Sequence, residues 1–273
     1  MARSQFDIRP AGALFQFPRY EWTQPKGGLV PRVLRAMGLA KARRRVARPE
    51  EVASPFAFAL LRGHEAEGAL DELARLRPDC TPVILGSPES AADMLDIGER
   101  TSPDALLAEL DRLDPVGWIA ERLAAFKQRS KPARGAWPVS NRVIRPGGLD
   151  SVRSARKPQD FLPEVIVVLV PVAEPALLAL HLGYGDWNDC PSPVVHAAMA
   201  RRWSTQYGAV PVALAGDVVE YRVARPVDTR EQAIALALEH FAYCPDAILQ
   251  GAETVERLAA ELLGSRYWLF WWD

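Results

Sequence analysis

Residues 266–273 have the sequence RYWLFWWD, in which six consecutive side chains, from Tyr267 to Trp272, are aromatic or aliphatic. Neither the period of a helix nor the alternation of a strand gives this stretch a polar face. Such a segment stays out of water only when both of its faces are covered, as in a strand inside a sheet. We therefore predict that it forms a central β-strand around which the second half of the chain is organised.

The rest of the sequence predicts strands alternating with helices. A capping oxygen stands directly before a proline, a pattern typical of helix starts, at Ser87-Pro88, Ser102-Pro103, Asp114-Pro115 and Ser192-Pro193. Apolar runs predict strands at Phe56–Leu61, Pro82–Leu85, Glu164–Val170 and Leu177–Leu182, and a hairpin at Ala209–Leu214 and Val218–Val223.

These elements predict an α+β fold with a mixed β-sheet and flanking helices. The first half is α/β-like, because a helix separates the strands Phe56–Leu61 and Pro82–Leu85. Such a β-α-β order predicts a parallel pair with a right-handed crossover. In the second half, the aromatic C-terminal strand is expected at the centre of the sheet.

Proline content and charge divide the chain into four parts. We predict a basic extended arm at residues 1–50, an N-terminal α/β half at 51–130, a Pro/Gly/Arg-rich linker at 131–158 and a C-terminal α+β domain at 159–273. The two basic segments, the arm and the linker, alternate with acidic folded parts. We expect the basic segments to lie across the acidic surfaces by electrostatic attraction.

Nucleic acid is the alternative partner for the basic segments. Residues 1–48 carry 11 basic and 2 acidic side chains, and Arg43-Arg44-Arg45 are consecutive. We do not favour nucleic-acid binding, because few aromatic residues accompany the arginines and the acidic blocks would repel phosphate.

The cysteines and the hydropathy pattern indicate the compartment. Cys80, Cys190 and Cys244 are widely spaced and odd in number, which fits reduced thiols better than a disulfide framework. No apolar run is long enough to cross a bilayer, and no secretory pattern is present. We expect a cytoplasmic protein without membrane insertion. We also expect no cofactor and no metal centre, because no cysteine or histidine set has ligand spacing.

A polar loop at residues 183–191 holds most of the candidate site residues. It combines carboxylates, an amide, an indole and a thiol, and its candidates are Asp186, Trp187, Asn188, Asp189 and Cys190. Such side chains suit acid–base or nucleophilic work, although Asp, Asn and Gly are also the ordinary residues of loops. The further candidates are Asp217, Tyr243, Cys244, Asp246 and Asp273. A nucleophilic pair of Cys190 with His240, or of Cys244 with His196, has no local signature in its favour.

The last 115 residues or so, a domain-sized unit, resemble the bacterial domain of unknown function numbered 4253. The resemblance rests on the loop GYGDWNDCPSP at 183–193 and on six later segments. These segments are Arg202-Trp203, Tyr207-Gly208-Ala209, Gly216-Asp217, Tyr243-Cys244-Pro245-Asp246, Gln250-Gly251 and residues 267–273. Where such proteins usually carry a second glycine in the loop, this chain has Asp186. The resemblance implies a bacterial cytoplasmic protein of no established activity, so no catalytic residue can be carried over.

These features favour a non-enzymatic binding or interaction module with an immunity-like or regulatory role, because no catalytic set is complete. Its partner would be a protein or a small molecule that contacts the polar loop, with Trp187 as the anchor. The alternative is a hydrolase-type enzyme that uses Asp186, Asp189 and Cys190.

Overall fold

A computed structural model of the chain describes residues 6–23, 43–95, 102–129, 131–138, 148–155 and 157–272. Its strands are β1 (Ile8–Arg9), β2 (Leu14–Thr23), β3 (Arg43–Ala53), β4 (Ala57–Leu61), β5 (Thr81–Ile84), β6 (Arg153–Ser154), β7 (Lys157–Phe161), β8 (Val165–Val170), β9 (Ala209–Ala215), β10 (Val218–Val223) and β11 (Tyr267–Trp271). Its α-helices are α1 (Gly63–Leu76), α2 (Pro88–Leu95), α3 (Pro103–Leu110), α4 (Pro115–Arg129), α5 (Leu178–Leu182), α6 (Pro193–Tyr207), α7 (Arg230–Tyr243) and α8 (Val255–Leu262).

Seven of the described strands form one mixed sheet in the order β1-β4-β8-β5-β9-β10-β11. Strands β4 and β5 both pair antiparallel with β8, β9 and β10 form an antiparallel hairpin, and β11 pairs antiparallel with β10. A single parallel bridge, Ile84 to Ala213, joins β5 to β9. The predicted α+β fold, a mixed sheet with flanking helices, is therefore confirmed. Strands from both sides of the predicted linker contribute to this sheet.

Strand β8, like the shorter β5 beside it, is buried on both faces. All six of its residues, VIVVLV, are buried, and β4 and β5 flank it. Val165, Val167 and Leu169 face a core cluster with helix α1, whereas the alternate residues face the larger cluster with helices α6, α7 and α8. A run of β-branched residues suits this position, because both faces of the pleat need apolar side chains.

The prediction of a central aromatic strand is wrong. Among the described strands, β11 is the last in the sheet order and pairs only with β10. Its fully buried side chains, together with the residue that follows it, are Trp268, Phe270 and Trp272. The intervening residues are half-buried, and one of them, Tyr267, donates a hydrogen bond from its hydroxyl to Glu67 of helix α1. One fully buried face and one partly covered face therefore suffice for this apolar sequence.

Two further predictions fail for identifiable reasons. Residues 177–182, predicted as a strand, form a short 3₁₀ turn, Pro175–Leu177, followed by helix α5. The segment is buried nearly all round, so its apolar run carries no period that separates a helix from a strand. Strands β4 and β5 run in the same direction but do not pair, because β8 lies between them.

The predicted proline starts of four helices are confirmed. Helices α2, α3, α4 and α6 begin at Pro88, Pro103, Pro115 and Pro193. At the start of α6, the Ser192 hydroxyl accepts a hydrogen bond from the N–H of Val195 at 3.4 Å. None of the described helices combines the length and the apolar character needed to cross a bilayer.

The two faces of β11 predict different costs of truncation. Phe270 is buried and stacks on Trp203 with ring centroids 5.4 Å apart, whereas its neighbour Leu269 is half-buried on the opposite face. Phe270→Ala should lower the free energy of unfolding by about 3–5 kcal/mol. Leu269→Ala, the matched control, should cost clearly less. Urea denaturation of both variants measures the difference, and equal costs would contradict the one-sided packing of β11.

Candidate functional site

Several of the segments behind the family resemblance meet at one end of the sheet. The backbone N–H of Trp272 donates to the carbonyl of Asp217 in the β9–β10 turn, at 3.2 Å. The thiol of Cys244 donates to the carbonyl of Trp271, at 3.0 Å. A Cβ atom on Gly251 would lie 2.7 Å from the indole of Trp271, so a larger residue there would displace this ring. The end of β11 thus binds the hairpin turn on one side and residues 244–251 on the other.

The polar loop, residues 183–191, is closed by its own backbone. It begins where Gly183, in the left-handed conformation with φ 63°, ends helix α5. The N–H of Asp186 donates to the carbonyl of Pro191 at 3.1 Å, and the N–H of Cys190 donates to the carbonyl of Trp187 at 2.8 Å. Gly185 has φ 123°, and a Cβ there would lie 2.1 Å from the Pro191 oxygen. The loop can therefore close in this way only with glycine at 185.

Two non-glycine residues in the loop also have left-handed backbone. Asp186 has φ 68° and Asn188 has φ 48°, and both side chains are exposed, as is that of Asp189. Asp and Asn tolerate this region better than other residues, because their short side chains can bond to the local backbone. Aspartate at position 186 thus suits this backbone conformation, as glycine would.

Aromatic packing supports the loop from below. Tyr184 is fully buried, and its ring meets Trp187 edge-on with centroids 4.7 Å apart and His196 at 5.2 Å. His196 in turn contacts the ring of Trp272 at 5.5 Å. Trp187 is partly buried, so one part of its indole is held by Tyr184 while another part remains accessible. This packing fixes the loop to the aromatic end of β11.

A buried chain of hydrogen bonds runs beneath the loop. The sulfur of Cys190 lies 3.3 Å from His196 Nε2, and His196 Nδ1 bonds to the Tyr243 hydroxyl. The Tyr243 hydroxyl is also hydrogen-bonded to that of Tyr221. A neutral imidazole donates from one ring nitrogen and accepts at the other, so His196 bridges Cys190 and Tyr243. Four buried polar groups are thereby satisfied in one row.

Burial keeps this row neutral. Loss of solvent lowers the pKa of His196 to about 3, although a backbone hydrogen bond with Pro191 acts in the opposite direction. Burial, reinforced by nearby Cys244 and Asp186, raises the pKa of the Cys190 thiol, and burial raises the pKa of Cys244 to about 12. A charged form without water or a counter-charge is costly in such a site. Cys190 and His196 therefore form a neutral thiol–imidazole pair at neutral pH.

The candidate residues divide by exposure. Asp186, Asn188, Asp189 and Asp217 are exposed, while Trp187 and Asp246 are half-buried. Cys190, Tyr243 and Cys244 are buried. Asp273 lies outside the described residues. Asp217 is near enough to the loop for its negative charge to raise the pKa of Tyr184, although burial of Tyr184 is the larger cause. The exposed members can meet a ligand directly, and the buried members hold the loop that carries them.

The sequence did not predict the position of His196 in the site. The sequence suggested it as a partner for Cys244, but it pairs with Cys190, and His240 lies instead against Trp268 and Phe270. The available signal was its position four residues after the Ser192 cap, in the first turn of α6, where it points back toward the loop. Among the described residues, no three His, Cys, Asp or Glu side chains are grouped to hold a metal ion.

The range that a family model matches contains all of the candidate residues. Residues 166–273 match the model of DUF4253, a domain of unknown function. We call this matching C-terminal part of the chain the DUF4253 domain. Comparisons with curated proteins and with solved structures found no match. The match begins inside β8, so the DUF4253 domain supplies β8 to β11, and the remaining strands of the sheet come from outside it.

Substitution should destabilise the protein strongly at Gly185 and hardly at all at the neighbouring Asp186. Gly185→Ala places a Cβ against the Pro191 oxygen and should cost about 3 kcal/mol or more. Asp186→Gly should change stability by less than about 1 kcal/mol, because glycine adopts the same positive φ but gains freedom when unfolded. Urea denaturation measures both effects. A harmless Gly185→Ala would show that the loop does not close as described.

Proposed function

We propose that the DUF4253 domain of this chain is a non-enzymatic binding module that recognises its partner through the polar loop. The observation that carries this proposal is the contrast between the loop and its support. Asp186, Asn188 and Asp189 are exposed, and the first two have sparsely populated backbone conformations, above a neutral and buried row of side chains. Backbone of this kind persists only where its surroundings impose it, and it is concentrated at functional sites.

The fixed backbone favours binding. A surface that is already ordered loses little conformational entropy when a partner docks, so more of the contact energy appears as affinity. Trp187, held edge-on by Tyr184, presents a large side chain in one orientation, as interface anchors do. The loop thus has the rigidity that a recognition surface requires.

The charges of the loop indicate the chemistry of the partner. Asp186 and Asp189 are exposed carboxylates beside Trp187, and Asp217 lies nearby in the hairpin turn. Carboxylates bind guanidinium and ammonium groups, and an indole face attracts the same cations. We propose a partner with a positively charged surface, such as a protein whose activity this domain restrains or regulates.

The enzymatic alternative lacks support in the geometry. A nucleophilic cysteine works as a thiolate, which needs a lowered pKa and access to the substrate. Cys190 is buried, and its thiol has a raised pKa beside an uncharged His196. Nucleic acid is also not favoured, because the exposed groups of the loop are carboxylates and would repel phosphate.

The state of the cysteines supports a reducing compartment. Cys80, Cys190 and Cys244 are all free and buried. Free thiols are usual where thiol reductants are abundant. We propose that the protein acts in the bacterial cytoplasm.

The loop should be required for partner capture. Immobilised full-length protein, exposed to a lysate of its source cell, should retain partners that a Asp186→Ala/Trp187→Ala double variant loses at least ten-fold. Quantitative mass spectrometry of the captured proteins measures the loss. The control variant, Glu121→Ala/Glu164→Ala, removes two exposed carboxylates away from the loop and should capture as wild type does. Unchanged capture by the loop variant would remove the loop from the proposal.

The thiol should be inert in the folded protein. At pH 7.5, iodoacetamide should alkylate Cys190 at least ten-fold more slowly in the native state than in urea, because the thiol is buried and protonated. A Ser204→Cys variant supplies an exposed thiol on α6 as the reactive control. Rapid native alkylation of Cys190, read from the modified peptide, would instead favour the enzyme.

A further inference from the structure

Residues 131–138, KPARGAWP, lie in the segment predicted as a linker, yet a part of them is bound to the DUF4253 domain. The N–H of Val255, at the start of helix α8, donates to the carbonyl of Ala133 at 2.9 Å. The N–H of Gly135 and the Nε of Arg134 donate to the two oxygens of Glu256, at 2.6 and 2.5 Å. We call residues 131–138 the strap.

The two side chains that join the strap to the domain differ in exposure. Glu256 has 10% of its side chain exposed, whereas the side chain of Arg134 is 61% exposed. The domain therefore contributes the buried partner and the strap the accessible one. Burial would raise the pKa of Glu256, but hydrogen bonds from Gly135, from its own backbone N–H and from Arg134 outweigh it and leave the pKa below its usual value. The carboxylate also lies in the first turn of α8, where negative charge is favourable.

The contacts select particular side chains. A Cβ on Gly135 would lie 2.9 Å from Cγ2 of Thr254, the capping residue of α8, so a larger residue at 135 forces the strap away. Arg134 supplies a charge-assisted hydrogen bond to Glu256. Trp137 follows two residues after Gly135, and the centre of its ring lies 4.6 Å from the guanidinium carbon of Arg230, at the start of α7. The contacts therefore match an Arg-Gly-Ala-Trp sequence in extended form.

The strap is also easy to release. It has no helix or strand, and most of its residues are exposed. Segments with few buried contacts open locally at a small fraction of the free energy of global unfolding. The site remains filled because the strap is tethered close to it, which raises its effective concentration.

We propose that Glu256, Thr254 and Arg230 form a second, sequence-selective peptide site of the DUF4253 domain, filled in this chain by its own strap. The ligand is an extended basic peptide with glycine after its arginine and an aromatic residue two positions beyond the glycine. Such a peptide on another molecule binds when the strap is released.

A strap-displaced variant tests the proposal in the full-length protein. Gly135→Val should push the strap off Thr254 and leave the site open. A fluorescein-labelled peptide of residues 129–138, RSKPARGAWP, should then bind, with fluorescence anisotropy as the readout. Wild type, whose strap competes, should bind at least ten-fold more weakly, and so should the Gly135→Val/Glu256→Gln double variant. A folded Gly135→Val protein that ignores the peptide, or binding that is indifferent to Glu256→Gln, overturns the proposal.

A second measurement serves if Gly135→Val fails to fold. Trypsin should cleave after Arg134 at least ten-fold faster in Glu256→Gln than in wild type, as followed by mass spectrometry of the fragments. Glu253→Gln is the control, because Glu253 is three residues away, is exposed and pairs with Arg257 rather than with the strap. Equal cleavage in Glu256→Gln and wild type would show that Glu256 does not hold the strap and would end the proposal.

Discussion

The packing of Trp203 against strand β11 is the contact on which the C-terminal half depends. Trp203, on helix α6, is fully buried and touches Tyr221, Tyr243, Trp268 and Phe270 with centroid distances of 5.0 to 5.6 Å. Aromatic pairs at such distances add to the stabilisation from burial. Because α6 begins directly after the polar loop and β11 ends beside it, this one contact sets the positions of both. The conformation of the loop follows from the core.

The same packing explains why the buried thiol and imidazole under the loop stay uncharged and unreactive. A cysteine and a histidine 3.3 Å apart resemble a catalytic pair, but the aromatic rings that hold His196 also exclude the water that a thiolate and an imidazolium need. The neutral pair has the lower free energy in such surroundings. The hydrogen bonds of the row hold the loop in one conformation. Such rigidity favours a binding surface, whereas nucleophilic attack would need a thiolate.

The sequence predicted features that depend on local chemistry. Proline at the first helical position, the hairpin around Gly216 and the polar loop itself follow from a few adjacent residues, and the structure contains all three. Features set by distant contacts were missed: the edge position of β11, the helical state of 177–182 and the insertion of β8 between β4 and β5. The pairing of Cys190 with His196 was missed for a related reason, because it requires the loop to fold back onto α6.

The DUF4253 match starts at residue 166, but the main sheet also contains strands that precede this residue. The match begins at Ile166, inside β8, but β8 is bonded along both edges to β4 and β5, which lie outside the match. Without them, a buried strand of six aliphatic residues would expose two open edges, a strong template for aggregation. The strap and the buried Glu220, which accepts hydrogen bonds from the N–H groups of Asp150 and Ser151, bind the intervening segment to the same domain. In this chain, therefore, the residues before the match complete the fold of the domain that follows.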